Sequence, residues 1–328
     1  SGSEAVDTAL KIALAYHRAR GEGHRNVFIG RERGYHGVGF GGISVGGMPA
    51  NRKMYGSLLP RVDHLPHTHN LKENAFSRGE PEWGAHLADE LETRIIALHD
   101  ASNIAAVIVE PMAGSAGVLV PPKGYLKRLR EICDKYNLLL IFDEVISGFR
   151  LGFSGAAGYF DIQPDLITFG KIIGGGLPVG AYAGSSEIMS FISPEGNVYQ
   201  AGTLSGNPVA MAAGIAQLSQ CLRPNFYHEL ESKTYTFVNR LNSISNKNRL
   251  FRVFSFGSIF WIAFTDREII RTAEEINPAS MSFFRDMYHK LLEQGIYFGP
   301  SGYEVGFVSA AHSLSDFDCT LSAFDKSF

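Results

Sequence analysis

Apolar and polar positions alternate along this chain with two distinct periods. Val6, Leu10, Ala13, Leu14 and His17 recur at helical spacing, which predicts an amphipathic helix opening at Ser3-Glu4. Ser3 suits an N-cap there, and Glu4 suits the positive end of a helix. Asn26–Gly30 reads as a short strand, and Leu87–Asp100 as a helix with Leu91 and Ile95 facing inward. Ala105–Val109 is an apolar strand that ends on Glu110, Tyr125–Tyr136 a helix, and Leu138–Phe142 the next strand. Strands that are apolar throughout, with helices between them, predict a mainly parallel sheet covered on both faces. Beyond Gly206 the texture changes. Pro208–Leu222 and Tyr227–Ser245 read as helices, and Leu250–Phe254 and Ser258–Phe264 as antiparallel strands around a turn at Gly257. A helix over Ser280–Gln294 and a short strand over Ile296–Phe298 follow. The pattern therefore predicts an α/β large domain over residues 1–206 and a smaller α+β domain over 207–328.

Composition narrows the class without naming a chemistry. A chain of 328 residues with 45% hydrophobic and 19% charged residues is ordinary for a globular protein. A net charge of −3 carries no electrostatic footprint for nucleic acid. The cysteines Cys133, Cys221 and Cys319 are scattered and odd in number, so no disulfide framework is predicted and a cytoplasmic location is expected. No apolar run reaches membrane-spanning length, and the start of the chain has no signal-peptide pattern. His64, His67 and His69 are interrupted by Pro66 and lack a suitably spaced acid, so no metal site is expected.

The chemistry concentrates at three strand ends. In parallel sheets ligands bind beyond the carboxyl ends of the strands, where Glu110, Asp143 and Lys171 all fall. Asp143 closes the run Leu138–Phe142, and Val145 points to the same side two residues on. Lys171 follows the apolar Leu166–Phe169 and precedes Gly174-Gly175-Gly176, a poor place for a solvated ammonium. Desolvation there lowers a lysine pKa and frees the neutral amine. A carboxylate and a lysine so placed match what a pyridoxal phosphate enzyme needs: an amine to form a Schiff base and an acid to keep the ring nitrogen protonated. Tyr35-His36, between Gly34 and Gly37, offers an aromatic cover for one ring face. The helix start at Gly2-Ser3 offers free N–H groups to a phosphate. Thr203 offers a hydroxyl, while Asn207-Pro208 beside it reads first as a helix cap.

As a set, Gly2-Ser3-Glu4-Ala5, Tyr35-His36-Gly37, Glu110-Pro111, Asp143-Glu144-Val145, Lys171 with its glycines, and Gly202-Thr203 with Gly206-Asn207-Pro208 resemble the class III aminotransferases. These are pyridoxal phosphate enzymes of fold type I. The resemblance implies that Lys171 carries the cofactor and shuttles the proton, and that Asp143 pairs with the ring nitrogen. It implies that Tyr35 stacks on the ring, with His36 beside it, and that Val145 packs on the opposite face. Glu110 joins the cofactor site, and Gly2 and Ser3 hold the phosphate. Thr203 would hold the phosphate of a partner subunit, so a homodimer with shared sites is implied. The first half, including His64–His69, Asn74–Gly79, Leu98–Ala101 and Gly114–Tyr125, is similar to ω-amino acid:pyruvate aminotransferases. The second half, including Phe169–Ala181, Tyr199–Ala210 and Gly299–His312, is similar to glutamate-1-semialdehyde 2,1-aminomutases. Glu304 stands where the aminomutases carry an acid near the cofactor, and Gly295–His312 holds no arginine for a substrate carboxylate. The family carries roughly a hundred residues ahead of the Gly-Ser-Glu motif, so this chain is expected to be part of a longer protein. The expected activity is amino transfer from an ω-amino acid or amine to pyruvate or a related 2-oxo acid. The alternatives are intramolecular transfer of the aminomutase type and a non-catalytic protein of the same fold.

Overall fold

The structure is a computed structural model that describes residues 1–68, 80–114, 117–248, 251–265 and 277–327. His69 and the motif Asn74–Gly79 lie outside the described residues, as do two positions of Gly114–Tyr125. The chain folds into two compact units.

In the first unit, six strands among the described residues form one sheet in the order β2-β1-β3-β4-β5-β6. They are β1 (Val27–Arg31), β2 (Val62–Leu65), β3 (Ile104–Val109), β4 (Leu139–Asp143), β5 (Leu166–Phe169) and β6 (Ala181–Gly184). All pairings are parallel except that of β5 with β6. The uniform apolar runs follow from burial on both faces. Leu139 and Ile141 of β4 join a core with Val6, Leu10 and Ala13 of the helix Gly2–Ala19. Leu140 and Phe142 join the opposite core with Leu91, Ile95, Leu129 and Ile132. Each of these leucine, isoleucine, valine or phenylalanine side chains taken from water contributes roughly 1.5–3 kcal/mol. Parallel register sets Asp143 opposite Thr168, so the carboxyl ends of β3, β4 and β5 form one edge carrying Glu110, Asp143 and Lys171.

Several local readings change in three dimensions. The first helix begins at Gly2, so Ser3 lies in its first turn rather than capping it, and its hydroxyl accepts the Val38 N–H at 3.1 Å. Residues 85–99 are helical, but as a 3-10 turn, a wider π turn and a short α turn in succession, with Leu91 and Ile95 fully buried. The strands Val62–Leu65 and Ala181–Gly184 are not legible in the apolar pattern, because half-buried edge positions give it little contrast.

The first unit runs on to Arg223, past the boundary expected near Gly206. The helix Pro208–Cys221 stays with it because glycines let the helix touch the turn Lys171–Gly174. A Cβ on Gly214 would sit 2.5 Å from the Ile173 carbonyl oxygen.

Among the described residues, the second unit holds a three-stranded antiparallel sheet of β7 (Arg252–Phe256), β8 (Ile259–Ala263) and β9 (Gly306–Phe307). The helices Phe226–Asn248, Met281–Glu293 and Leu314–Ser327 belong to it. The strand predicted over Ile296–Phe298 is absent. Gly295 takes φ +78, and the Ile296 N–H turns back to the Leu291 carbonyl at 2.9 Å, closing the preceding helix instead of pairing in a sheet. Gly306-Phe307 takes the third place, since only a glycine at 306 lets the chain lie against the Phe260 ring. No described helix is long and apolar enough to cross a membrane.

Candidate active site

A cavity of about 280 Å³ opens at the carboxyl edge of the first sheet. Gly2, Ser3, Tyr35, His36, Glu110, Asp143, Val145 and Lys171 all line it. Eight residues singled out from sequence therefore meet in one place, although they span 170 positions of chain. Ile146, Leu177, Pro178 and Val179 also line it, and the sequence reading misses them. Apolar residues in a loop carry no motif, and only their position beside Lys171 reveals them.

Each polar side chain is fixed by an identifiable bond. Asp143 is 6% exposed and ends β4. Its Oδ1 accepts the Val145 N–H at 3.1 Å and the Thr168 hydroxyl at 3.3 Å. Its Oδ2 lies 2.8 Å from His36 Nδ1. A neutral imidazole with its proton on Nδ1 donates to that oxygen and leaves Nε2 as a bare lone pair. That buried Nε2 meets no hydrogen-bond partner among the described residues. Glu110, at the end of β3, is 4% exposed, and its Oε1 accepts the Tyr35 N–H at 2.9 Å. The bond ties the aromatic segment to the sheet edge. Burial pushes the Glu110 carboxyl up, with Arg31 and His36 opposing the shift and Asp143 adding to it.

Lys171 opens the turn Lys171–Gly174 directly after Gly170. Its φ is +46, a left-handed backbone that a side-chain-bearing residue adopts only under constraint. Its side chain lines the cavity, where desolvation by the surrounding protein lowers the ammonium pKa. The charges of Asp143 and Glu110 oppose that shift, and Arg150 reinforces it. The lysine is thereby biased toward the free amine. Val145 is gripped between two glycines. A Cβ on Gly2 would fall 2.7 Å from Val145 Cγ1, and one on Gly170 would fall 3.2 Å from the same atom. The first turn of the helix Gly2–Ala19 thus packs directly on Val145 at the cavity.

The remaining two sequence candidates are Thr203 and Glu304. Thr203 lines a neighbouring cavity of about 440 Å³ that shares Ser1, Pro178 and Val179 with the first. Beside it Asn207 caps the helix Pro208–Cys221, accepting the Ala210 N–H at 3.0 Å. Glu304 belongs to the second unit, where its carboxylate folds back over Gly299.

The profile of the family "Aminotransferase class-III" matches residues 1–321. An omega-aminotransferase of Caulobacter vibrioides is 52% identical over 289 residues, covering 86% of this chain and 66% of that protein. A glutamate-1-semialdehyde 2,1-aminomutase of Legionella pneumophila is 39% identical over 332 aligned positions, covering 98% of this chain and 71% of that protein. Among solved structures, an amine transaminase from an uncultivated Pseudomonas species in its PLP-bound form superposes with a TM-score of 0.84 at 30% identity. That match covers all of this chain (100%) and 75% of the other. The (S)-enantioselective omega-transaminase of Thermomicrobium roseum gives 0.82 at 26% identity, covering 100% and 73%. The chain thus spans just under two thirds of the Caulobacter protein.

Proposed function

This chain belongs to the class III aminotransferases, and on that premise we propose that it moves an amino group from an ω-amino acid or amine to pyruvate or a related 2-oxo acid with pyridoxal phosphate as cofactor. The carrying observation is that Lys171 and Asp143 line one cavity with Tyr35 and Val145. The donor set fits the cofactor: an amine of lowered pKa, a carboxylate held by three donors, and a helix start at the same wall. Pyridoxal phosphate, when bound, supplies an aldehyde that takes up amino groups and a ring that accepts electrons.

Lys171 Nζ is the group that would hold the cofactor and would move the proton at the carbon bearing the amino group. Its desolvation favours the free amine, the form able to do so. Asp143 would pair with the ring nitrogen and favour its protonated form, and His36 fixes the direction in which that carboxylate points. Glu110 holds Tyr35 through its backbone N–H, so the aromatic cover keeps its height over the cavity. Gly2 and Ser3 would offer helix-start N–H groups to the phosphate. Thr203 would serve the site of a second copy in a homodimer.

The test is a visible spectrum of the cofactor-loaded protein on addition of β-alanine without acceptor. Loss of the long-wavelength cofactor band, restored by pyruvate, supports the reading. The 39% identity to the aminomutase over 98% of the chain supports a second reading, intramolecular amino transfer. That reading predicts a band indifferent to β-alanine but responsive to glutamate-1-semialdehyde.

A further inference from the structure

Glu144 stands between Asp143 and Val145 but does not line their cavity. It is 0% exposed, and its carboxylate is saturated by donors from further along the chain. The Ala156 N–H donates at 2.6 Å, the Ala157 N–H at 2.7 Å and the Ser147 hydroxyl at 3.0 Å. Its own backbone is tied on both sides. The Glu144 N–H donates to the Thr168 carbonyl at 2.9 Å, extending the β4–β5 pairing, and its carbonyl accepts the Gly148 N–H at 2.9 Å. Gly155 leaves room for the carboxylate. It sits at φ +64, and a Cβ there would fall 2.4 Å from Glu144 Oε2.

An uncharged side chain is easier to bury than this acid, whose pKa burial raises. Only a carboxylate accepts from all three donors at once. A glutamine of the same shape turns an amide N–H₂ toward a backbone N–H or a hydroxyl. Nothing in the cavity chemistry touches Glu144, so its role lies in what it holds still.

We propose that Glu144 is a positioning residue: by locking residues 155–157 and Ser147 onto the exit of β4, it keeps Asp143 and Val145 aimed into the cofactor cavity. The inference rests on the pyridoxal phosphate reading above. A loosened exit lets Asp143 leave His36 and Thr168, and lets Val145 leave its seat between Gly2 and Gly170.

The test compares Glu144→Gln with wild type in two readouts other than turnover. One is pyridoxal phosphate affinity, followed by quenching of intrinsic fluorescence. The other is the pH midpoint of the visible cofactor band. Glu144→Gln is expected to weaken affinity roughly 10–100-fold, by analogy with the loss seen when the residues that orient metal ligands are changed, and to move the midpoint. Leu129→Ala, at a fully buried site in the core that Phe142 joins, is the stability control. It should lower the thermal midpoint and leave both readouts unchanged. Wild-type affinity and midpoint in Glu144→Gln overturn the proposal, as do equal changes in Leu129→Ala. Should Glu144→Gln not fold, Ser147→Ala and Gly155→Ala are read in the same way. The first removes one donor, the second presses on the carboxylate, and wild-type behaviour in both overturns the proposal. A wild type that never develops the cofactor band sinks the cofactor reading and this proposal together, which separates that failure from one confined to Glu144.

Discussion

Lys171 carries two separable costs, both visible at its own atoms. Its ammonium is desolvated, so its folded pKa lies below the 10.5 of a free lysine. A base depressed in this way favours the folded state fully only above its unfolded pKa, and that contribution is lost as pH falls through the folded value. At pH 7, below its unfolded value, the desolvated lysine therefore destabilises the cofactor-free protein. Lys171→Met should melt higher than wild type at pH 7, with the gap closing as pH approaches 10.5. Thermal midpoints of both cofactor-free proteins at pH 7 and pH 10 measure this, and a gap that widens with pH contradicts the assignment. The second cost is the backbone, at φ +46. A Cβ in the left-handed region costs roughly 1–2 kcal/mol that glycine does not incur. Lys171→Gly should therefore be more stable than Lys171→Ala by about 1 kcal/mol in urea unfolding. Equal stabilities would mean that the surrounding turn relaxes the strain.

At the scale of elements, the site is an agreement between neighbours that approach more closely than side chains permit. The helix Pro208–Cys221 meets the turn Lys171–Gly174 with no Cβ between them, since one on Gly214 would fall 2.5 Å from the Ile173 carbonyl oxygen. Backbone cannot yield as a flexible side chain does. Gly214→Ala should destabilise by about 1–3 kcal/mol, the usual cost of overpacking. Because the displaced turn starts at Lys171, the same variant should also bind pyridoxal phosphate less tightly. Urea midpoints together with a cofactor titration check both effects. A stability loss with unchanged affinity would show that the turn moves without carrying Lys171. The same helix capped by Asn207 ties the loop bearing Thr203 to the rest of the first unit.

At the scale of the whole molecule, the distribution of apolar surface calls for a partner. Tyr199, Leu204, Val209 and Ile215 are 82%, 76%, 70% and 67% exposed, all within one short span of chain. A helix that is apolar on its outer face is normally covered. The proposed homodimer would cover it and would bring Thr203 to a second copy's cavity. Sedimentation of the complete protein should give a dimer, and Ile215→Glu should shift it toward monomer with loss of cofactor affinity in parallel. A dimer untouched by that change places the interface elsewhere.

The sequence by itself determined the layers, which polar residues stand at the strand ends, and the family. Runs such as Leu138–Phe142 are apolar at every position because both faces are buried, and that is a property of the residues alone. Asp143, Lys171, Glu110 and Tyr35-His36 were legible because each is a polar group in a setting where an ordinary charged or aromatic side chain has no reason to be. Only the tertiary structure decided the rest. Gly306, rather than Ile296–Phe298, pairs with β8 because the Phe260 ring leaves room there for backbone alone. The helix Pro208–Cys221 belongs with Lys171 because two backbones touch through glycine, a contact with no periodicity to read. Glu144 differs from its neighbour Asp143 by facing protein rather than the cavity, and that depends on where residues 155–157 return in space. Hydrophobic pattern is a local signal, whereas register, close approach and the direction of a carboxylate are set by chain segments distant in sequence.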